Sequence, residues 1–218
     1  MKLAIYGTGG SGKEAYEILE ECPTEKRKWE EIIFIDDTKE EGIFRGCKMI
    51  PFELFKTKYT SRETKVVIAV GEPTARKKLY DKVQEAGYQL ANIIHESAKV
   101  SKSAIVGTGI VMQSDVRVSS EAVIHDNVYI NHRTIIGHDV CIERHCQISC
   151  NVVLAGGAVV GEGVFIGIAA GIRDHIHIGL FSIISMGAVV LKDVRPYKIV
   201  MGNPGRETGE NIEQKVFK

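Results

Sequence analysis

Three histidines stand close together in the middle of the chain: His132, His138 and His145. Imidazole titrates near neutral pH, so each is a candidate general base, and the three together are a candidate ligand set for zinc. A second cluster lies near the N-terminus, where Gly7, Gly9 and Gly12 fit GxGxxG in Gly7-Thr8-Gly9-Gly10-Ser11-Gly12. Such glycines let a chain turn tightly and aim backbone N–H groups and a helix N-terminus at phosphate; the same run also serves as a plain strand-to-helix turn. Asp36 and Asp37 end the apolar run Ile32-Ile33-Phe34-Ile35. A carboxylate there can accept from a ribose or a base edge.

The elements that position these groups divide the chain in two. From Ile94 to Val190 an aliphatic residue recurs at every sixth position, with Met112 the one departure from Ile, Val or Leu. Four residues after each stands a small or β-branched residue, as at Ala98, Ala104, Val116, Ala122 and Val128. Gly, Ser, Asn or a charge often follows the aliphatic one, as at Gly107, Ser119, Asn131, Gly137 and Gly161. Neither the helical period nor the strand period explains a spacing of six. Six residues make one short strand and a corner, three such units close a triangular coil, and stacked coils bury one another. The phase never slips, which leaves no room for a loop inserted between coils. In this phase His132 and His138 share the outward position two after the aliphatic residue, on successive corners, and His145 falls one place later. They are not expected to converge within one chain, so a three-histidine zinc site is not favoured.

The first ninety residues read differently. Lys2–Tyr6, Ile32–Ile35 and Lys65–Val70 are buried parallel strands, with helices from about Lys13 to Glu20 and from Pro73 to Glu85. Alternating strand and helix imply a small parallel sheet. There is room for about half of a dinucleotide fold, which favours a mononucleotide-type ligand over NAD. Glu25-Lys26-Arg27-Lys28-Trp29-Glu30-Glu31 reads as a solvated loop.

Bulk properties exclude several classes. The chain has 218 residues and 28 bases against 28 acids, with no basic stripe for a nucleic acid. No apolar run is long enough to span a membrane, and the N-terminus lacks a signal layout, so the expectation is a cytoplasmic protein. Cys22, Cys47, Cys141, Cys146 and Cys150 have no framework or CxxC spacing and are expected to be reduced thiols without metal or redox duty.

The repeat resembles the hexapeptide-repeat acyltransferases, whose coils wind left-handed. With the N-terminal motifs in order (Ile5–Gly12, Phe34-Ile35-Asp36-Asp37, Ala69-Val70-Gly71), the whole chain resembles bacterial sugar acetyltransferases that place a small Rossmann-like domain before the β-helix. Members acetylate nucleotide-linked 4-amino-4,6-dideoxy sugars on nitrogen or sialic acids on oxygen. The resemblance implies a Rossmann-like nucleotide-sugar domain at residues 1–92, a left-handed β-helix at 93–206 and a polar tail at 207–218. It further implies a homotrimer with acetyl-CoA between subunits. Gly9, Gly10, Ser11, Asp36, Asp37 and Gly71 would hold the nucleotide sugar. His138 would be the base and Asp139 its orienting partner. Many relatives carry His where Ser11 and Gln147 stand here. Gln147 would meet the thioester region as a hydrogen-bond donor. Gly156, one coil beyond His138, is either an oxyanion donor or a plain corner glycine. The runs Phe165–Gly171, Ser185–Val190 and Met201–Arg206 resemble CoA-lining segments, which assigns Ile168, Ala169 and Gly187 to the cofactor. Arg206 or Lys192 is either a contact to CoA phosphate or a solvated charge.

The reading that follows is acetyl transfer from acetyl-CoA to a UDP- or dTDP-linked 4-amino-4,6-dideoxy sugar, without a metal. Sugar O-acetylation is the nearest rival, because one base serves amine and hydroxyl alike. An inactive nucleotide-sugar-binding scaffold and a zinc-dependent hydratase are the rivals from other classes.

Overall fold

The computed structural model describes residues 1–217. The N-terminal domain is a six-stranded sheet in the order β3-β4-β2-β1-β5-β6. Its strands are β1 (Lys2–Tyr6), β2 (Glu31–Ile35), β3 (Gly42–Phe44), β4 (Cys47–Ile50), β5 (Thr64–Ile68) and β6 (Gln89–Leu90). All neighbours run parallel except the β3–β4 hairpin. Helices α1 (Gly10–Glu21), α2 (Pro23–Lys26), α3 (Phe52–Lys58) and α4 (Pro73–Glu85) complete it. Because side chains alternate across a strand, Leu3, Ile5, Phe34 and Val67 bury one face against α1, and Ala4, Tyr6, Ile33 and Val66 bury the other against α3 and the Tyr88 turn.

The run from Glu25 is a solvated turn over residues 27–30, but its ends are structured: Pro23 starts the short α2, Glu25 is buried with its carboxylate 2.5 Å from Lys28 Nζ, and Glu31 opens β2. The hairpin β3–β4 and helix α3 carry no strong periodic signal and were not anticipated.

Every member of the six-residue series is the second residue of a two-residue strand, from Ile93–Ile94 to Val189–Val190. The strands stack in parallel into three faces. The first face carries Ile94, Met112, Ile130, Ile148, Ile166 and Ile184; the second carries Val100 to Val190; the third carries Val106 to Ile178. Their side chains form one continuous core with the small residues at the corners. At each corner from Gly109 to Gly187 the third residue after the aliphatic one has positive φ, Asp139 at 59° and Gly157 at 67° among them. Glycine directly after the aliphatic residue answers a different need. A Cβ on Gly137 would lie 2.7 Å from Leu154 O of the next coil.

The outer side of the first face packs under the N-terminal domain, where Ile93, Val111 and Tyr129 join the α1 core. Residues 207–217 do not form a separate tail, and Lys218 lies outside the described residues. Lys198–Met201 and Arg206–Glu210 pair antiparallel and extend the first face. Beyond them the chain returns to the N-terminal domain: Thr74 Oγ1 donates to Gln214 O at 2.6 Å, and the N–H groups of Val216 and Phe217 donate to Glu72 Oε2 at 2.9 and 3.0 Å. Composition alone hid this, because the segment is held by its backbone rather than by an apolar stripe.

Candidate active site

The glycine-rich loop joins β1 to α1 and forms one wall of a cavity of about 310 Å³. Gly9, Gly10, Ser11, Asp36, Asp37 and Gly71 all line it, with Thr8, Thr38, Val70 and Leu79 among its other walls. Gly7 and Gly12 are structural: a Cβ on Gly12 would lie 2.0 Å from Gly7 O. Around Gly9 and Gly10 a Cβ would meet nothing within 4 Å, so the entrance to α1 is open space. α1 has no side-chain cap and no acid in its first turn, which leaves its N-terminal N–H groups for an anion.

The two aspartates are less free than their position suggests. Asp36 accepts from Thr8 Oγ1 and from Thr38 N and Oγ1, the last two at 3.0 and 2.6 Å. Asp37 accepts from Tyr6 OH at 2.5 Å, Lys82 Nζ at 2.7 Å and Phe52 N at 2.7 Å. Burial pushes the Asp37 carboxyl pKa up, but the bonds from Lys82, Tyr6 and Phe52 outweigh it and hold the group below the usual carboxylate range. Asp37 therefore fastens β2 to α3 and α4 as well as facing the cavity.

Gly10, Ser11 and Gly71 also line a second cleft of about 670 Å³, which runs along the first face and its corner to the second. Gln147, Ile168, Asn131, Cys150 and Phe165 line its β-helix side, and Phe217 of the returning C-terminus lines it too. The Phe217 ring packs edge-on against Phe165 at 5.4 Å. A polar chain crosses between the domains here. Asn131 Nδ2 donates to Glu14 Oε2 at 3.1 Å and Gln147 Nε2 donates to Asn131 Oδ1 at 2.8 Å. Gln147 Oε1 is buried with no partner among the described residues. One N–H of the Gln147 amide is thus given to Asn131, while the residue itself lines the cleft.

His138 lies elsewhere. It sits on the corner that joins the second and third faces, the edge opposite the first face. Its side chain is 65% exposed. Nδ1 stands 2.7 Å from Asp139 Oδ2, a pairing that leaves Nε2 as the free lone pair. Gly156 is stacked directly beyond it, and its N–H has no acceptor among the described residues. Lys99, Ser101, Arg117, Ser119 and Ser120 line a groove with His138, and sequence reasoning did not select them.

The residues that the resemblance assigns to the cofactor therefore do not form one site within the chain. Gln147 and Ile168 line the cleft; Ala169 and Gly187 stack on its corner, with φ of 57° and 67°. Gly156 belongs to the His138 edge. Arg206 is exposed beside the terminal hairpin, its guanidinium 3.1 Å from Gly205 O. The reason is the coil length: residues eighteen apart stack, as Ser114 and His132 do at 2.9 Å, whereas nine residues from His138 to Gln147 are half a turn.

The remaining histidines separate as the phase implied. His132 occupies the corner between the first and second faces, and its Nδ1 pairs with Ser114. His145 is buried, 2.9 Å from Asn127 Nδ2 and edge-on to Tyr80. Burial, with Lys77, Arg76 and Arg144 nearby, drives its pKa down to about 3, so it is a neutral structural group. Beside it, wholly buried Arg76 donates to Ile68 O at 2.9 Å, Val70 O at 3.3 Å, and Asn127 O and Oδ1. Burial lowers the guanidinium only to about 10, so it stays charged and ties the strand end before Gly71 to the β-helix.

Residues 2–83 match the PglD N-terminal domain, and residues 121–156 match the bacterial transferase hexapeptide of six repeats. The acetyltransferase domain of PglB from Neisseria gonorrhoeae FA1090 is 30% identical, with 95% of this chain and 99% of that one covered at a TM-score of 0.87. The same domain has been solved in complex with acetyl coenzyme A. PerB from Caulobacter crescentus, in complex with CoA and GDP-perosamine, is 27% identical over 96% of this chain and 98% of its own, also at 0.87. Two further structures of that perosamine N-acetyltransferase carry one histidine replaced, by asparagine and by alanine.

Proposed function

The chain belongs to the PglD-like family of left-handed, hexapeptide-repeat acetyltransferases, and from that membership we propose how it works. It transfers the acetyl group of acetyl-CoA to the amine of a nucleotide-linked amino sugar. The nucleotide lies in the cavity at Gly9–Ser11, its phosphates against the uncapped N-terminus of α1. The amino sugar extends past Gly10, Ser11 and Gly71 into the cleft that shares these residues.

His138 acts as the general base. Its Nδ1 is committed to Asp139, so Nε2 takes the proton as the amine nitrogen attacks the thioester carbonyl. The tetrahedral oxyanion forms beside the free N–H of Gly156. When it collapses, the C–S bond breaks and the proton returns to the sulfur of CoA. The reaction needs no metal.

The observation that carries this reading is the separation between base and cleft. His138 occupies the edge opposite the face that supports the N-terminal domain, so within one chain the acceptor cleft has no base and the base lies in a separate groove. A homotrimer in which each His138 completes a neighbour's cleft, with CoA along the seam, joins them. No helix among the described residues is long and apolar enough to cross a membrane, and the reading puts the enzyme in the cytoplasm, where it would meet both substrates.

The test is thiol release from acetyl-CoA against UDP-, dTDP- and GDP-linked 4-amino-4,6-dideoxy sugars, with CMP-sialic acid and free sialic acid alongside. Turnover on an amino sugar supports the reading. His138→Ala should then lower kcat by about 10²–10⁴-fold with the oligomer intact, and His132→Ala should not. Turnover on sialic acid alone would make the enzyme an O-acetyltransferase, and full activity in His138→Ala would remove the proposed base.

A further inference from the structure

Acetyl transfer uses none of the five thiols, and all five are free. The β-helix nevertheless brings one of them into a mixed cluster. His125 and Glu143 occupy equivalent positions on adjacent coils, just after the third-face strands Val123–Ile124 and Cys141–Ile142. Cys141 points outward from the second of these strands. His125 Nε2 stands 3.8 Å from Glu143 Oε1, and Cys141 Sγ stands 3.9 Å from the same oxygen. The three donor atoms all lie within 4.8 Å of one another, and each residue is half-buried. The imidazole–carboxylate gap is too long for a direct hydrogen bond, and the thiol contact is at the limit of one. Three good ligands thus approach closely without satisfying each other.

We propose that His125, Cys141 and Glu143 form a binding site for a borderline-soft divalent cation, zinc foremost, with water completing the coordination. The donor set selects the ion: magnesium and calcium take oxygen ligands, whereas nitrogen and sulfur beside a carboxylate suit zinc. The spacing fits as well. Tetrahedral zinc with Zn–N near 2.0–2.1 Å and Zn–S near 2.3 Å holds its ligands about 3.4–3.6 Å apart, so the side chains need close by only a few tenths of an ångström in each measured pair. The ion joins two adjacent coils, and Cys141 follows His138-Asp139-Val140 in the chain. Zinc would therefore brace the turn that carries the base while taking no part in acetyl transfer.

The experiment uses the full chain stripped with EDTA and titrated with zinc against a chromophoric chelator, then with cobalt. The expected result is one zinc per chain and a cobalt spectrum with thiolate charge-transfer absorption. Cys141→Ser should abolish that absorption, and Cys141→Ser, His125→Ala and Glu143→Gln should each weaken zinc binding at least tenfold. Cys47→Ser should change neither. Thermal melts of the metal-free variants establish that they fold. Zinc binding of equal strength in the wild type and all three variants, absence of the charge-transfer band, or its survival in Cys141→Ser would each overturn the site.

Discussion

Gly156 lies against the His138 ring so closely that the space between them has no room for a Cβ. A Cβ at position 156 would lie 2.5 Å from both Cε1 and Nε2 of His138. The glycine is thus required by the imidazole one coil away, and its N–H is left beside the ring. Gly156→Ala should displace the ring from Asp139 and lower kcat by about 10²-fold or more while thermal stability changes little. Steady-state kinetics and a melt on the same preparation check this. An unchanged kcat would mean that the ring does not act from this position.

The C-terminal return should tune the acceptor. Phe217 packs on Phe165 in the cleft, and Glu72 fixes its backbone next to Gly71. Phe217→Ala should raise KM for the nucleotide sugar roughly three- to tenfold and leave KM for acetyl-CoA unchanged, in keeping with the loss of one aromatic wall. A rise in the acetyl-CoA KM instead would assign this wall to the pantetheine arm.

Arg76 is a buried cation whose partners are all neutral acceptors. Arg76→Met would orphan the carbonyls of Ile68, Val70 and Asn127 that it now satisfies. The expected cost is about 3 kcal/mol, or roughly 6–12 °C in melting temperature for a chain of this size. Arg76→Lys should not rescue it, since one ammonium cannot reproduce a fork that spans two domains. Calorimetry on both variants decides the point.

Buried His145 makes a pH signature. Its folded pKa of about 3 lies below the ordinary value of 6.5, so the unfolded chain takes up a proton that the native protein refuses. Its effect is absent above pH 6.5. Stability should fall as pH drops from there toward 3, by up to about 1.4 kcal/mol per unit from this group. His145→Gln keeps an acceptor for Asn127 Nδ2 and should flatten that part of the curve. Denaturant melts across this range read the difference.

The β-helix was legible because one physical requirement, filling a narrow core, repeats without interruption from Ile94 to Val190. The glycine-rich loop was legible from its spacing after an apolar run, and the structure gives the reason for two of its glycines: a Cβ on Gly7 or Gly12 would collide with backbone. Hairpin β3–β4 was missed because Gly42–Phe44 is short and half-exposed. The C-terminal return escaped because backbone N–H groups hold it, and these leave no mark in composition. Gln147 was singled out from the sequence as a donor toward the thioester, but its bond to Asn131 was not legible, because the partner sits one coil away in the stack. The separation of His138 from Gln147 was implicit in the phase: nine residues are half a coil.

The eighteen-residue coil has one more consequence. The N-terminal domain is anchored at Ile93, Val111 and Tyr129, and the proposed base, His138, stands further along the same axis. Each coil advances by one strand spacing, about 4.8 Å. In the proposed reaction the reach from phosphate to amine is therefore graduated. Inserting one whole coil between Tyr129 and His138, which stand half a coil apart, moves the base by one step of this ruler and keeps it on the same edge. Any other insertion turns it to the wrong side. Acceptor length in such a protein can change only in discrete increments.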